Sequence, residues 1–438
     1  MAAPPHLPRR VCWKHRAATL LGLLLGLGSA ETADAIYEVE GDTGSVAAFG
    51  TAKLFPTYAR TRDLGAGHAE NLWAAVGSLR LTLEGSALDV LAFEGAYHLF
   101  PIVFDDPSAV GAFGAADGGL VRPRQSLLRV ADVQREIASG ARFRLEHDLD
   151  RLNVLFMTGL ADIRVGRQAV SHGSARILPS TDIFSPFSPA SLDTEFKQGL
   201  DAVRVTVPLG EASELEAIAV GHRDTLAEGT YLGRFRHSFP GLDVSTYAGT
   251  SYRAPTAAVD VSGDLFDATF YGEVFYRRWS REAYDRATPD PPLGEGLPMV
   301  QNAWRATVGG HYYFAAGLST ILELHYNGEG AASPRDYLLA ALAPGWQQGE
   351  VFLLGRYYAA LGLEYELSEL VSVGLSTLAN LRDPSFLLMP SAAWSTSDNT
   401  SLGVGAIVGM GSPMEGGTPS SEFGLYPYTA YGDARWYF

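Results

Sequence analysis

Residues 304–314 read Trp304-Arg305-Ala306-Thr307-Val308-Gly309-Gly310-His311-Tyr312-Tyr313-Phe314. The even positions carry Trp, Ala, Val, Gly, Tyr and Phe, and the odd ones Arg, Thr, Gly, His and Tyr. A period of two belongs to an extended strand with one apolar and one polar face; an amphipathic helix repeats every 3.6 residues. The alternation returns at 356–367, where Tyr357, Ala359, Leu361, Leu363, Tyr365 and Leu367 oppose Arg356, Tyr358, Ala360, Gly362, Glu364 and Glu366. It is present again at 71–84, with Trp73, Leu79, Leu81 and Leu83 against Ser78, Arg80, Thr82 and Glu84.

These segments exceed the usual ~5–6 residues of a globular strand and match the ~9–11 of a tilted membrane-crossing strand. Aromatics gather near their ends, at Trp304 and 312–314, at 275–279 and at 436–438, where the interfacial girdles of a membrane barrel belong. Tight links near 395–400, 366–370, 315–317, 263–264, 239–242, 209–213 and 158–159 alternate with long polar links at 411–425, 328–349, 280–300 and 171–198. Alternating short and long connections are the habit of outer-membrane barrels. Residues 126–157 are ambiguous, because 129–138 reads as strand or helix. Taken as one interrupted strand they give eighteen strands; divided, they give nineteen or twenty, and an even number is required if both ends lie on one side. The expected fold is therefore all-β, a single-chain antiparallel transmembrane β-barrel of about 18 strands, within a range of 16 to 20.

Composition agrees. The 438 residues are 47% hydrophobic and 19% charged, with a single cysteine and a formal net charge of −16, and the mean hydropathy is +0.03. That is too apolar for a disordered chain, too polar for a helical membrane protein and too acidic for a nucleic-acid binder. Arg9, Arg10, Lys14 and Arg16 precede an apolar run at 17–28 and a small-residue step Ala33-Asp34-Ala35, the three-part layout of a secretory signal peptide. Cleavage is expected after Ala35, leaving residues 36–438 as the barrel domain. The remainder holds 29 Lys and Arg against 47 Asp and Glu, a net charge of −18, and no thiol, since Cys12 leaves with the leader.

Residues 428–438 place Tyr428, Ala430, Gly432, Ala434, Trp436 and Phe438 on one face and end on Phe438. This ending resembles the C-terminal assembly signal of bacterial outer-membrane barrels, which implies that Trp436 and Phe438 are read by the barrel-assembly machinery. The stretch Val165-Gly166-Arg167-Gln168, then His172-Gly173-Ser174-Ala175-Arg176, then Pro179-Ser180-Thr181-Asp182-Ile183-Phe184-Ser185-Pro186-Phe187, with Leu149-Asp150-Arg151-Leu152 before it, resembles the alginate-export type of porin. His172 stands where that pattern has tryptophan. The resemblance implies a barrel of about eighteen strands and a channel for hydrophilic solutes, anionic or carbohydrate among them. It places the chain in the outer membrane of a diderm bacterium. The partners so implied are outer-membrane lipid and lipopolysaccharide, the assembly machinery and a hydrophilic solute; no cofactor, metal or nucleic acid is expected.

With the polar face turned to the lumen, Arg80, Arg204, Arg277, Arg305, Arg356 and Arg435 point inward beside Glu84, Asp267, Glu273, Glu323, Glu364, Glu366 and Asp433. Opposed rows of this kind set a transverse field that filters solutes by charge. Arginine outnumbers lysine 27 to 2 after residue 35, and its planar fork suits carboxylate or phosphate groups. Ordinary ion pairs within the lumen account for the same arginines. The link at 171–198 has three prolines and six serines; unstructured connections this long are commonly functional. Folded into the lumen, it would set Asp182, Asp193, Glu195 and Lys197 at a constriction, with Arg176 as their expected partner. Two rival readings remain: an outer-membrane hydrolase using His172 and Ser174, which share a strand face, and a non-conducting structural or adhesive barrel. The histidines left after residue 35 show no HxxxH or HxH spacing, so no metal site is expected.

Overall fold

The computed structural model describes residues 36–63, 69–106, 126–288 and 299–438; the expected leader, 1–35, lies outside them. In chain order the barrel strands are β1 (Gly44–Arg60), β2 (Asn71–Ala87), β3 (Leu91–Phe104), β4 (Phe143–Met157), β5 (Asp162–Gln168), β6 (Leu200–Pro208), β7 (Ser213–Val220), β8 (Thr230–Phe239) and β9 (Leu242–Ser251). They continue as β10 (Ala254–Leu265), β11 (Ala268–Arg278), β12 (Asn302–Phe314), β13 (Leu318–Asn327), β14 (Tyr357–Ser368), β15 (Val371–Asn380), β16 (Ser385–Ser397), β17 (Thr400–Met410) and β18 (Tyr428–Tyr437). Each pairs antiparallel with the next, and β18 closes on β1 from Thr51 opposite Tyr437 to Arg60 opposite Tyr428. The result is an all-β, closed, antiparallel barrel of eighteen strands. Closure removes the sheet edges that would otherwise leave backbone groups unpaired in lipid.

The ambiguous stretch resolves locally. Residues 126–134 are irregular, Arg135–Gly140 forms a short strand beside the start of β4, and β4 itself pairs with β3 along Phe143 to Phe156. A second short strand, Tyr37–Gly41, lies along the start of β1. Neither adds a stave to the ring. The tight link expected at 263–264 falls three residues later, at Phe266-Asp267, so Asp267 sits in a turn and not on a lumen row. Leu88-Asp89, Tyr252-Arg253 and Phe266-Asp267 each have both φ angles positive, the hairpin geometry whose twist matches that of its strands.

Side-chain alternation separates two surfaces. Leu54, Leu81, Val259, Phe270, Val308, Leu322, Leu324 and Val404 are exposed on the outside although they sit within paired strands. So continuous an apolar exterior has no place in water and fits hydrocarbon. Aromatic contacts mark both ends of this band: Tyr276 with Trp304 at 4.5 Å and Tyr326 with Tyr357 at 5.3 Å on one side, Tyr312 with Phe314 and Trp436 with Phe438 at 4.5 Å on the other. Inside, two buried apolar clusters include loop residues. One joins Leu178, Ala190, Val351, Leu353 and Phe423 to Phe55, Ile102, Tyr358 and Leu378 on the walls. The other joins Val170, Ile183, Phe184 and Trp279 to Leu200, Ile218, Tyr247 and Phe275.

Val308→Arg, on the lipid face of β12, is expected to cost about 2–4 kcal/mol in chemical unfolding from phospholipid vesicles, and Ser262→Arg, facing the lumen on β10, under about 1 kcal/mol.

Candidate functional site

Between β5 and β6, residues 169–199 turn into the barrel. Gly166 (φ 115°) and Gly173 (φ 97°) take left-handed conformations at the entrance. A Cβ on Gly173 would meet Glu273 Oε1 and Thr181 Oγ1 at 2.5 Å, so only glycine fits there. The loop has no regular pairing, and buried backbone N–H groups must still find acceptors. Two wall glutamates supply them. Glu273 of β11 accepts from the amides of Ser174 (2.7 Å), Ala175 (2.6 Å), Ser180 (2.6 Å) and Thr181 (2.9 Å), and from Thr181 Oγ1 (3.1 Å). Glu323 of β13 accepts from the amides of Arg176 (2.7 Å), Ile177 (3.1 Å) and Leu178 (2.7 Å), and from the Tyr271 hydroxyl (2.7 Å). From β12 between them, Thr307 Oγ1 donates to the Leu178 carbonyl at 2.6 Å.

The far end of the loop is tied to a different part of the wall. Lys53 of β1 lies 2.8 Å from Asp193 and 2.6 Å from Glu195, and the Tyr437 hydroxyl of β18 donates to Glu195 at 3.0 Å. The Phe196 ring sits between Lys53 (4.9 Å) and the Arg80 guanidinium (4.3 Å), a cation–π arrangement. Asp182, fully buried, is paired within the loop to Lys197, which also donates to Ser171 Oγ at 2.6 Å. The loop is thus fastened at β11–β13 by its backbone and at β18–β1–β2 by its side chains, and it lies across the lumen.

The pairing expected within the loop is different from the one found. Arg176 is not the partner of Asp182, Asp193 or Glu195, whose cations are Lys197 and Lys53. Its amide is pinned to Glu323, and its side chain is exposed with no ion pair among the described residues.

Most of the inward arginines are wired into structure. Arg80 is buried with Asp150, which also meets Arg151 at 2.6 Å and Arg129 at 3.5 Å. Arg277 and Arg305, 0% and 1% exposed, flank Glu350 of the 328–356 loop at 2.9 and 3.1 Å, so loop and wall cover them from passing solute. Arg356 Nε donates to the Gly330 carbonyl at 2.8 Å. Arg204 pairs with Glu216, and Arg435 lies 3.0 Å from Asp433; both keep about a quarter of their side-chain surface open. Glu323 is spent on the loop, while Glu364 stays half-buried on the lumen face of β14. Sequence reasoning placed Glu273 on the lumen side without its anchoring role, named Asp150 only within the motif at 149–152, and missed Lys53, Arg129 and Glu350. The length of the loop was the available signal, since so many amides require acceptors.

His172 is buried between Phe184 (5.5 Å) and Tyr247 (5.2 Å), its Nε2 is 3.4 Å from Glu216, and burial holds the imidazole below its ordinary pKa. No hydrogen bond joins it to Ser174 among the described residues, so the geometry lends the hydrolase reading no support. His222, Asp224 and Glu228 bring three ligand-type atoms within 4.8 Å. The Asp224 amide already donates to His222 Nδ1 at 3.2 Å, and Arg286 lies 3.8 Å from Glu228.

No protein-family model matches this chain, and no curated protein sequence does. Solved structures do. OccAB1 of Acinetobacter baumannii aligns over 89% of this chain and 96% of its own, at 12% identity and a TM-score of 0.52. A BenF-like porin of Pseudomonas fluorescens Pf-5 aligns over 90% and 98%, at 12% identity and 0.51. OccK8 (OprE) of Pseudomonas aeruginosa aligns over 89% and 98%, at 10% identity and 0.51. At these identities the likeness is one of fold: the chain has the barrel architecture of outer-membrane porins.

Proposed function

We propose that this protein is a passive channel in the outer membrane of a diderm bacterium, passing hydrophilic solutes through a lumen narrowed by residues 169–199. The carrying observation is that loop, fastened to opposite parts of the wall inside a barrel whose exterior is apolar. The likeness to porin structures supports the reading. Seating of the terminal Phe438 ring over Gly50 at the closing seam is consistent with recognition of Trp436 and Phe438 by the assembly machinery. On solute class, the exposed cation Arg176 supports anionic solutes, and the resemblance to alginate-export porins makes a uronate polymer the first to try. Part-open acidic groups share the lumen with the arginines, so the proposed selectivity is local to the loop.

Three outcomes follow. Purified protein in a planar bilayer should give stable conductance steps; none at all would contradict the channel. Glu273→Ala with Glu323→Ala strips the acceptors from seven loop amides, each unsatisfied buried donor costing about 1–3 kcal/mol, so the freed loop should give a larger and noisier conductance. Arg176→Ala should shift the reversal potential under a salt gradient toward cation preference; an unchanged potential would remove Arg176 from the filter.

A further inference from the structure

Two loops at the β14–β18 side of the mouth meet at one buried carboxyl. Glu422, in the 411–427 loop, is 1% exposed. Its Oε1 accepts from the Leu354 amide (2.7 Å) of the 328–356 loop. Its Oε2 accepts from the Tyr358 hydroxyl of β14 (2.5 Å) and from Asn380 Nδ2 of β15 (2.7 Å). Asp383, in the turn between β15 and β16 and also buried, accepts from the Glu422 amide (3.0 Å) and from the Tyr337 hydroxyl of the 328–356 loop. Beside Glu422, Phe423 is wholly buried in the apolar cluster that contains Val351, Leu353 and the lumen-crossing Leu178. Two acids therefore share one buried cluster. The groups facing Glu422 from every neighbouring element are Tyr358, Asn380, Tyr337 and Asp383; among the described residues no Lys, Arg or His joins them, and the adjacent Arg382 is exposed.

The other attachment of the 328–356 loop to the wall is charge-paired. There Glu350 is balanced by Arg277 and Arg305, whose charges persist at any physiological pH. At Glu422 no cationic side chain among the described residues balances the charge. Burial, reinforced by Asp383 and opposed by the hydrogen-bond donors, pushes the Glu422 carboxyl up from 4.5 to about 7.

We propose that the 328–356 and 411–427 loops form a lid that is held down while Glu422 is protonated and loosens as Glu422 ionises. The sign follows from linkage. A carboxyl whose pKa is raised only in the closed state favours closure at low pH, and that preference is lost as pH rises through about 7. An ordinary carboxyl in the loosened state makes the closed-to-loosened ratio fall roughly tenfold between pH 6 and pH 8.

The test is amide hydrogen exchange of the folded barrel in detergent at pH 6 and pH 8, corrected for intrinsic rates, together with planar-bilayer recordings at the same pH values. Exchange in both loops should rise about tenfold and channel closures should become rarer, and Glu422→Gln should abolish both responses. Asp383→Asn, which removes the facing charge, should move the midpoint to lower pH. Loop exchange that follows the intrinsic rates alone, a full response in Glu422→Gln, or an unmoved midpoint in Asp383→Asn would each overturn the lid. The current readout rests on the channel proposal and the exchange readout does not. No conductance with an intact exchange response would defeat the channel alone; conductance without the exchange response would defeat the lid alone.

Discussion

Two carboxylates, Glu273 and Glu323, hold the interior in place. A ring of eighteen strands encloses more space than wall side chains fill, so what crosses that space determines what the barrel can do. The crossing segment has no sheet or helix to satisfy its amides, and it takes its acceptors from the wall. Each glutamate offers two oxygens with several lone-pair directions, and between them they receive seven backbone amides and two hydroxyls. Neither has a salt-bridge partner among the described residues. Backbone dipoles offset their burial, as in the anion-holding concavities formed by successive N–H groups. Hydrogen bonds worth about 0.5–1.5 kcal/mol net each are enough in that number to offset several kcal/mol of desolvation.

The rest of the interior follows the same economy with the signs made explicit. Arg277 and Arg305 converge on Glu350 to seat one mouth loop, while Arg129, Arg80 and Arg151 converge on Asp148 and Asp150 under the 126–134 segment. Arginine suits these places because it stays charged when buried and its fork meets both oxygens of a carboxylate. Its large excess over lysine therefore has a structural use first. Loss of one partner would leave a buried charge uncompensated, which commonly costs about 3–5 kcal/mol. The two lysines are the exceptions: Lys53 is a point charge shared by Asp193 and Glu195 and stacked near Phe196, and Lys197 pairs with Asp182.

The fold was legible in the sequence because each wall residue has two choices, lipid or lumen, and the period-two pattern records the choice directly. The reading at 304–314 falls within β12, which begins two residues earlier, and that at 356–367 is offset from β14 by one residue at each end. It left alternatives open at 126–140, where irregular chain at 126–134 runs into a short strand, and it misplaced the hairpin at Phe266-Asp267, which carries no glycine to announce it. The interior was only partly legible. Alternation showed that Arg277, Arg305 and Glu323 face inward, but facing inward is not facing solute. Whether a lumen residue is open or covered depends on loops distant in sequence: Glu350 is 45 residues from Arg305 and 73 from Arg277, and Arg176 and Leu178 are more than a hundred from Glu323. Arg176 illustrates the reverse: it was expected to be paired with loop acids, but those acids pair with Lys197 and Lys53 and its side chain is left open.

The channel architecture depends on residues 169–199 lying across the lumen. In the structure, Ile177 Cδ1 lies 3.6 Å from where a Cβ on Gly362 of β14 would be. With Cys12 the only native thiol, a chain lacking it and carrying Ile177→Cys and Gly362→Cys provides a direct test in the folded barrel. A short dithiol-bridging reagent should link the two positions in nearly every molecule, and Glu273→Ala with Glu323→Ala should sharply reduce that yield. Failure to link them in a folded barrel would contradict the placement of the loop and the channel architecture built on it.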